Sequence, residues 1–287
     1  MASLSESLQT FSAVVVTGGS SGIGKSFIEL GAKLAPGLRF CNLSRRAPAA
    51  EVDPLILRHV PCDLSSPADI ERAAAEVTGY LGREVPGRVL LINNSGFGAY
   101  GRFPEPNLPH QLEMLDVNIR GLVHFTGLML PLLKERGGAI MNIASTAAFQ
   151  PTPFMATYGA SKAFVLHWSL ALNEELRSSR VRALAVCPGP TSTEFFRRAG
   201  LKKGSVADSL GMTAEEVVLQ SYRALAKHGA QVVTGWKNKL MAAFSSRVPV
   251  TYAASSFSPF AVRTVTAQFV TASCCIRRAS ISPSSIR

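Results

Sequence analysis

The stretch Thr17-Gly18-Gly19-Ser20-Ser21-Gly22-Ile23-Gly24 decides the fold of this chain. A short apolar run at 11–17 leads into it, and apolar residues recur at helical spacing over 23–34, so the segment is predicted to form a strand, a tight turn and a helix. Glycines in such a turn let the backbone approach a pyrophosphate, and the helix N-terminus supplies free NH groups and a positive dipole. We therefore expect a nucleotide to bind at this turn.

The same alternation of short apolar runs and amphipathic stretches continues along the chain. Strands are predicted at 11–17, 38–43, 55–60, 89–93, 139–144, 183–186 and 231–234, and helices at 23–34, 67–81, 109–136, 158–177 and 213–227. Apolar strands separated by amphipathic helices are typical of a parallel sheet covered on both faces. The fold class is therefore α/β: a doubly wound parallel sheet, or Rossmann fold, of about seven strands.

The charge distribution indicates two regions of different character. The chain has 287 residues and a net charge of +11, but residues 236–287 hold seven of the Lys and Arg residues and no acid. The rest of the chain carries a net charge of only +4, so a nucleic-acid partner is not predicted. We expect a nucleotide-binding domain at 1–250 and a basic, Ser-rich, poorly ordered extension at 251–287.

Cysteine usage and hydropathy bear on the compartment. The five cysteines are an odd number without a C-x-x-C pair, which favours a reducing environment. The N-terminus shows neither a secretory signal nor an Arg-rich transit peptide, and no run of 18 uncharged apolar residues occurs. We expect a cytoplasmic protein without a membrane span. The histidines lack metal-ligand spacing, so no metal is expected.

The glycine turn also satisfies a second motif. Gly18, Ser20 and Gly22 match G-x-S-x-G, the nucleophile elbow of serine hydrolases, which likewise lies between a strand and a helix. That elbow normally follows several strands, and no Asp and His are recognisable at later strand ends. A hydrolase is therefore the weaker alternative.

The end of the second predicted strand bears on which nucleotide binds. An NAD site usually has Asp or Glu there for the ribose hydroxyls, whereas this chain has Ser44, Arg45 and Arg46. Guanidinium groups attract a 2′-phosphate, which favours NADP(H), although two solvated loop arginines are the alternative interpretation. Asp63, after the third strand, is predicted either to accept from the adenine amino group or to cap the next helix.

A phenol and an ammonium group lie four residues apart on one predicted helix. Tyr158 and Lys162 therefore share a helix face, where the cation is predicted to lower the pKa of the phenol. Ser145 ends the preceding strand, and its hydroxyl could donate to a developing alkoxide. Together with the glycine turn, this chain order predicts acid/base chemistry on a carbonyl group.

Over residues 13–239 the chain resembles the short-chain dehydrogenase/reductase family. Besides the glycine turn and the Tyr158/Lys162 pair, the chain has Asn93-Asn94-Ser95-Gly96, where the family usually has N-N-A-G, and Pro188-Gly189-Pro190-Thr191-Ser192-Thr193 after the sixth strand. The resemblance implies a catalytic tetrad of Asn118, Ser145, Tyr158 and Lys162. Tyr158 would be the acid/base, Ser145 would orient the carbonyl, Lys162 would hold the nicotinamide ribose, and Asn118 would anchor a water that relays protons.

The resemblance, together with the motifs, also implies a set of cofactor-binding residues. Beside Tyr158 and Lys162 these are Gly18, Ser20, Ser21, Gly22, Ile23, Gly24, Ser44, Arg45, Asp63, Asn94, Pro188, Gly189, Thr191 and Thr193.

The predicted function is an NADP(H)-dependent oxidoreductase that transfers hydride between nicotinamide and a carbonyl or secondary alcohol. Apolar residues beside the motifs predict a hydrophobic substrate: Phe97, Phe149, Phe154, Met155 and Phe195. A catalytically silent NADP-sensing protein is the alternative, and isomerisation or dehydration through the same residues is another. Apolar faces around 164–172 resemble the dimer-forming helices of the family, which implies a homo-oligomer.

Overall fold

A computed structural model describes residues 4–105, 107–193, 195, 199–200 and 211–245. The extension predicted at 251–287 lies outside these residues. The strands are β1 Ala13–Thr17, β2 Arg39–Ser44, β3 Leu57–Pro61, β4 Val89–Asn93, β5 Gly138–Ile143, β6 Val181–Cys187 and β7 Gln231–Val233. The helices described are α1 Leu4–Gln9, α2 Gly22–Leu34, α3 Pro67–Glu84, α4 Leu108–Leu115, α5 Leu122–Arg136, α6 Ala156–Glu175, α7 Ala214–Ala226 and α8 Trp236–Ser245.

The sheet confirms the predicted α/β class. Its seven strands are all parallel and lie in the order β3-β2-β1-β4-β5-β6-β7. The strand order reverses between β1 and β4, which pair directly. In such a sheet the ligand crevice opens at this reversal, outside the carboxyl ends of the strands. The fold therefore places the ends of β1, β4 and β5 around one crevice.

Both faces of the sheet are buried, which explains the absence of polar alternation in its strands. On one face Val14 and Val16 pack with Phe27 of α2 and Tyr222 of α7, whose hydroxyl donates to the Phe27 carbonyl at 2.8 Å. On the other face Ala13 and Val15 share a cluster with residues of α3 and α5. β1 and β4 are buried along their whole lengths, so every position favours an apolar side chain.

The segment predicted as one helix at 109–136 is instead divided into three. A π-helical segment, Asp116–Gly121, separates α4 from α5. At Gly121 a Cβ would overlap the Leu64 carbonyl, so this turn lies directly against the loop after β3. A π segment widens a single turn of a helix and needs no particular residue types. The apolar periodicity of the sequence therefore does not reveal it. The prediction of an uninterrupted α-helix was wrong at this point.

Most other boundaries agree with the sequence within a few residues. Helix α7 begins with a capping box: Glu216 N donates to the Thr213 hydroxyl at 3.1 Å, and the Glu216 carboxylate accepts from Thr213 N at 2.9 Å. Two helices, α1 and α8, have no counterpart among the elements predicted from the sequence. Among the described residues no helix is long and apolar enough to cross a membrane.

Candidate active site

The glycine turn leaves the N-terminus of α2 open towards the crevice. Helices α3, α4 and α7 each begin with a side chain that accepts from their free NH groups, whereas Ser21 at the start of α2 makes no such bond. Unpaired NH groups at a helix N-terminus bind anions. Ser20, Ser21, Gly22 and Ile23 line the cavity described below, so these NH groups face the space in which a phosphate is expected from the sequence.

Close packing within the turn explains two of its glycines. Gly18 has φ +70°, and a Cβ on it would lie 2.7 Å from the Ser95 hydroxyl. A Cβ on Gly24 would overlap the Gly18 carbonyl oxygen. Gly24 therefore lies beneath the turn and does not line the cavity. The turn is tied to the loop after β4 by Asn94, whose amide donates to the carbonyls of Thr17 at 3.0 Å and Gly18 at 3.2 Å.

One cavity of about 720 Å³ runs from the glycine turn to the end of β5. Its volume lies within the range of small-molecule sites, about 300 to 1,000 Å³. The predicted catalytic and cofactor-binding residues all line it, with the exception of Gly24 and Asn118: Gly18, Ser20, Ser21, Gly22, Ile23, Ser44, Arg45, Asp63, Asn94, Ser145, Tyr158, Lys162, Pro188, Gly189, Thr191 and Thr193.

Tyr158, Lys162 and Ser145 meet at the carboxyl end of β5. Ser145 follows this strand and accepts from Ala147 N at 3.1 Å, which begins a 3₁₀ turn, Thr146–Phe149. Tyr158 and Lys162 project from α6, and the Lys162 ammonium donates to the Ile143 carbonyl at 2.7 Å. The ammonium lies 6.0 Å from the centre of the Tyr158 ring. The predicted placement of a phenol, an amine and a hydroxyl in one cavity is therefore present.

The expected lowering of the Tyr158 pKa is not seen in the structure. Burial raises the pKa of Tyr158 to about 12, against a smaller lowering by a hydrogen bond with Ser145. Burial also lowers the pKa of Lys162 to about 8. Lys162 is not among the causes of the shift in the Tyr158 pKa; its ammonium bonds the Ile143 carbonyl and lies 6.0 Å from the centre of the phenol ring. At neutral pH Tyr158 is therefore a protonated phenol, which is the form that donates a proton.

Asn118 lies in the π segment, behind the cavity wall, and is 1% exposed. Its amide accepts from Phe97 N at 3.1 Å and donates to the Phe97 carbonyl and the Ser161 hydroxyl, each at 3.0 Å. These bonds fix the loop after β4 against α6, the helix that carries Tyr158. Both amide hydrogens are used in these bonds, and the water relay that the resemblance implies for Asn118 stays a prediction.

The far end of the cavity carries an arrangement that the sequence did not reveal. The Arg45 guanidinium lies 3.5 Å from the Glu113 carboxylate on α4 and 4.0 Å from that of Asp63. Glu113 also lies 3.6 Å from the His110 ring, which stacks on Phe97 at 4.8 Å. The contact between Arg45 and Glu113 joins residues 68 positions apart in the chain, and no local motif marks such a pair.

The neighbouring residues have different partners. Ser44 is buried, and its hydroxyl donates to the Arg46 carbonyl at 2.7 Å and accepts from Asn42 at 2.9 Å. In the part of the chain that the structure describes, the Arg46 guanidinium has no hydrogen bond or ion pair. Asp63 accepts from Ser65, while Ser66 caps α3. The cap interpretation of Asp63 was therefore wrong, and its carboxylate faces Arg45.

The five apolar candidates for the substrate pocket divide into two groups. Phe97, Met155 and Phe195 line the cavity, and the Phe195 ring lies 5.2 Å from that of Tyr158. Phe149 packs outside it against the cluster of Val165 and Leu166, and Phe154 lies against the Tyr100 ring. The prediction was therefore wrong for these two residues. No cluster of metal-ligating side chains occurs among the described residues.

The low pKa of Lys162 predicts a pH-dependent stability. The folded protein releases this proton near pH 8 and the unfolded chain near 10.5, so between these values the unfolded chain binds more protons and stability rises with pH. Relative to Lys162→Met, the wild-type free energy of unfolding should rise by about 3 kcal/mol across this window, or roughly 6 to 12 °C in melting temperature. Denaturation of both proteins at several pH values measures this difference; one that stays constant with pH would contradict the burial of a titrating Lys162.

Comparison with known proteins gives the family context. A sequence model described as short chain dehydrogenase matches residues 12–204. An uncharacterized oxidoreductase of Schizosaccharomyces pombe is 30% identical over 189 residues, which cover 65% of this chain and 63% of that protein, so the chain spans less than two thirds of this relative. Serine 3-dehydrogenase of Rhizobium radiobacter is 32% identical over 188 residues, covering 63% of this chain and 73% of the enzyme.

Solved structures of similar fold contain nicotinamide cofactors. A short-chain dehydrogenase from Sphingobium yanoikuyae in complex with NADPH superimposes with a TM-score of 0.68 at 29% identity, covering 82% of this chain and 93% of that one. A 3-ketoacyl-(acyl-carrier-protein) reductase from Brucella melitensis, complexed with NADH, has a TM-score of 0.67 at 23% identity, with 77% and 95% covered. The second likeness shows the fold alone.

Proposed function

Since this chain belongs to the short-chain dehydrogenase family and is an oxidoreductase of that family, we propose that it uses NADP(H) to interconvert a carbonyl group and a secondary alcohol, with Tyr158 as acid/base. The observation that carries the proposal is the single cavity that Tyr158, Ser145 and Lys162 share with the uncapped N-terminus of α2. A cofactor whose phosphate lies at that turn and a substrate whose carbonyl group lies beside Tyr158 would then be bound in the same cavity.

The cavity fits a dinucleotide along its length. The NH groups of Ser21 and its neighbours would hold the pyrophosphate, Lys162 the ribose next to the nicotinamide, and Thr191 and Thr193 the carboxamide. When bound, NADPH supplies the hydride. Close packing leaves no room for a side chain at Gly18 or Gly24, so glycine at these positions preserves the backbone conformation of the turn.

Tyr158 supplies the proton for carbonyl reduction. Its phenol is protonated at neutral pH because burial raises its pKa to about 12. As the carbonyl oxygen gains negative charge, the phenol can transfer its proton and Ser145 can donate a hydrogen bond to the same oxygen. In the alcohol-oxidation direction Tyr158 would first have to lose its proton, and its phenolate would then accept the proton of the alcohol. Phe97, Met155 and Phe195 give this end of the cavity an apolar wall, which favours a hydrophobic ketone.

Thermal denaturation with each cofactor tests cofactor binding first. A ligand at a hundred times its dissociation constant stabilises by about 2.7 kcal/mol, roughly 5 to 10 °C at this size. We expect such a rise with NADPH and a smaller one with NADH. NADPH consumption at 340 nm with a panel of hydrophobic ketones then tests turnover. A rise in melting temperature with no consumption for any ketone or aldehyde would favour the NADP-sensing alternative.

The two arginines after β2 are expected to contribute unequally to NADPH affinity. Arg45 must give up its ion pairs with Glu113 and Asp63 to bind a 2′-phosphate, whereas Arg46 gives up none among the described residues. A charge-assisted hydrogen bond contributes about 1.5 to 3 kcal/mol. Arg46→Ala should therefore weaken NADPH binding roughly 10- to 100-fold and leave NADH binding unchanged, with a smaller loss for Arg45→Ala.

Fluorescence titration of both cofactors measures these affinities. Arg177→Ala removes a similarly exposed charge on the loop after α6, remote in the fold from the cavity, and is the matched control. Glu113→Gln should tighten NADPH binding, because it releases Arg45. Equal losses of NADPH and NADH affinity in Arg46→Ala would contradict a role in reading the 2′-phosphate.

We also propose that the protein forms a homo-oligomer and is cytoplasmic. Phe164 on the outer side of α6 is 38% exposed and stacks on Trp168 at 6.5 Å. An aromatic pair on this helix is consistent with the homo-oligomer that the sequence predicts, and the cytoplasmic location stays a prediction from the sequence. Light scattering of the wild type and of Phe164→Asp would test the assembly, since the substitution should shift an oligomer towards the monomer.

A further inference from the structure

Helix α8 presents an apolar ridge to solvent. Trp236, Leu240 and Phe244 recur every four residues, which places them along one side of the helix, and they are 68%, 63% and 70% exposed. Met241, beside them, is 45% exposed. Single exposed apolar side chains are ordinary on a protein surface, but a contiguous group on one short helix indicates an interaction surface. Trp236, Leu240, Met241 and Phe244 are called the α8 ridge below.

The opposite side of α8 is fixed to the domain. Ala242 is buried, and the Asn238 amide donates to the Thr234 carbonyl at 2.8 Å. The backbone just before the helix is held as well, since Gly235 N donates to the Gln220 side chain at 2.9 Å. Asn238 packs so closely on Gly189 that a Cβ there would overlap it. The ridge therefore points outwards from a fixed helix whose inner side touches a loop of the active-site cavity.

The charged side chains of α8 are all positive. They are Lys237 and Lys239, and the helix contains no acid. The Lys237 ammonium lies 5.7 Å from the centre of the Trp236 ring. In the sequence the bias continues, because residues 236–287 contain seven Lys or Arg and no Asp or Glu. The surface and the chain that follows it therefore favour an anionic partner.

This charge pattern disfavours two other occupants of the ridge. A second copy docked through the same face would bring Lys237 and Lys239 near their own counterparts, and like charges across an interface weaken it. The remaining C-terminal residues of the chain also lack any acid to pair with these lysines. An anionic lipid surface matches both the positive charge and the apolar side chains of the ridge. Its headgroups attract lysines, and Trp and Phe side chains enter the boundary with the acyl chains.

We propose that the α8 ridge docks this protein onto membranes that contain anionic lipids. The helix lies in the plane of the interface, with Trp236, Leu240 and Phe244 inserted and Lys237 and Lys239 at the headgroups. Docking itself does not depend on the proposed enzymatic function. If that function holds, docking brings the loop of Gly189 close to the lipid surface, from which a hydrophobic ketone could enter the cavity.

Co-sedimentation of the full chain with lipid vesicles tests the proposal. We expect binding to phosphatidylcholine vesicles that contain phosphatidylserine, and at least about tenfold weaker binding to phosphatidylcholine alone or at high salt. Leu240→Asp with Phe244→Asp should weaken binding by about tenfold or more. Leu55→Asp is the matched control, because Leu55 is 80% exposed in a turn outside α8, and it should bind like the wild type.

Tryptophan fluorescence gives a second measurement that does not depend on the aspartate variants folding. The chain has two tryptophans, Trp168 and Trp236, so anionic vesicles should shift the emission of Trp168→Phe to the blue but not that of Trp236→Phe. Absence of both vesicle binding and the shift overturns the proposal. Vesicle binding by the double aspartate variant that equals wild-type binding also overturns the proposal. So does an oligomer that binds no vesicles and that the double aspartate variant dissociates, because the ridge would then contact a second copy of the chain.

Discussion

Replacing Tyr158 by Phe is expected to lower the turnover number for ketone reduction by about 10² to 10⁴-fold. The substitution removes only the hydroxyl, so the ring keeps its contact with Phe195 at 5.2 Å and the fold should be retained. A loss of this size corresponds to roughly 3 to 5 kcal/mol of transition-state stabilisation, far above the effect of a lost surface hydrogen bond. The measurement is NADPH consumption at 340 nm with a ketone that the wild type reduces.

The affinity for NADPH separates a chemical role of Tyr158 from a binding role. Tyr158→Phe should bind NADPH almost as tightly as the wild type, because the contacts proposed for the phosphates and adenosine lie elsewhere in the cavity. Tyr100→Phe is the matched control. Tyr100 is 39% exposed and its ring lies against Phe154, so removal of its hydroxyl should leave turnover unchanged. Near-wild-type turnover by Tyr158→Phe would refute its assignment as the acid.

The parts of the site that follow from local sequence were predictable. The glycine turn needs particular residues within eight positions, and the Tyr158/Lys162 pair needs only the period of a helix. The direction of the Tyr158 pKa was not predictable in this way, because it depends on how deeply α6 is buried and on where the Lys162 ammonium points. The four-residue spacing places the two side chains on one face of α6, but it does not show how far they are removed from water.

Contacts between distant parts of the chain account for the other differences. Arg45 and Glu113 meet only because the fold brings the end of β2 beside α4. Asn118 bonds the Phe97 backbone because a π segment interrupts the helix that carries it. Such side chains look like ordinary surface or helix residues in the sequence. Their roles depend on the tertiary structure, which overrides the local pattern.

Replacing Gly24 by Ala is expected to weaken NADPH binding by about 100-fold and to destabilise the fold. Helix propensity alone predicts the opposite, since Ala in a helix is favoured over Gly by about 1 kcal/mol. At Gly24, however, the new methyl group would overlap the Gly18 carbonyl and crowd the Asn94 amide. Overpacking costs about 1 to 3 kcal/mol, and a displaced turn loses one or two charge-assisted hydrogen bonds to phosphate.

Gly82→Ala makes the same chemical change where the structure leaves room. Gly82 lies in α3, and a Cβ there would meet nothing within 4 Å, so this variant should gain roughly 0.5 to 1 kcal/mol of stability and bind NADPH like the wild type. Urea denaturation and fluorescence titration of both variants measure the two effects separately. Should Gly24→Ala prove as stable as Gly82→Ala and bind NADPH with wild-type affinity, the glycine turn would not be the pyrophosphate site. If Gly24→Ala lowers stability while Gly82→Ala raises it, the same added methyl group has opposite effects in two helices. The requirement for glycine at position 24 would then come from backbone contact at the turn and not from helix propensity.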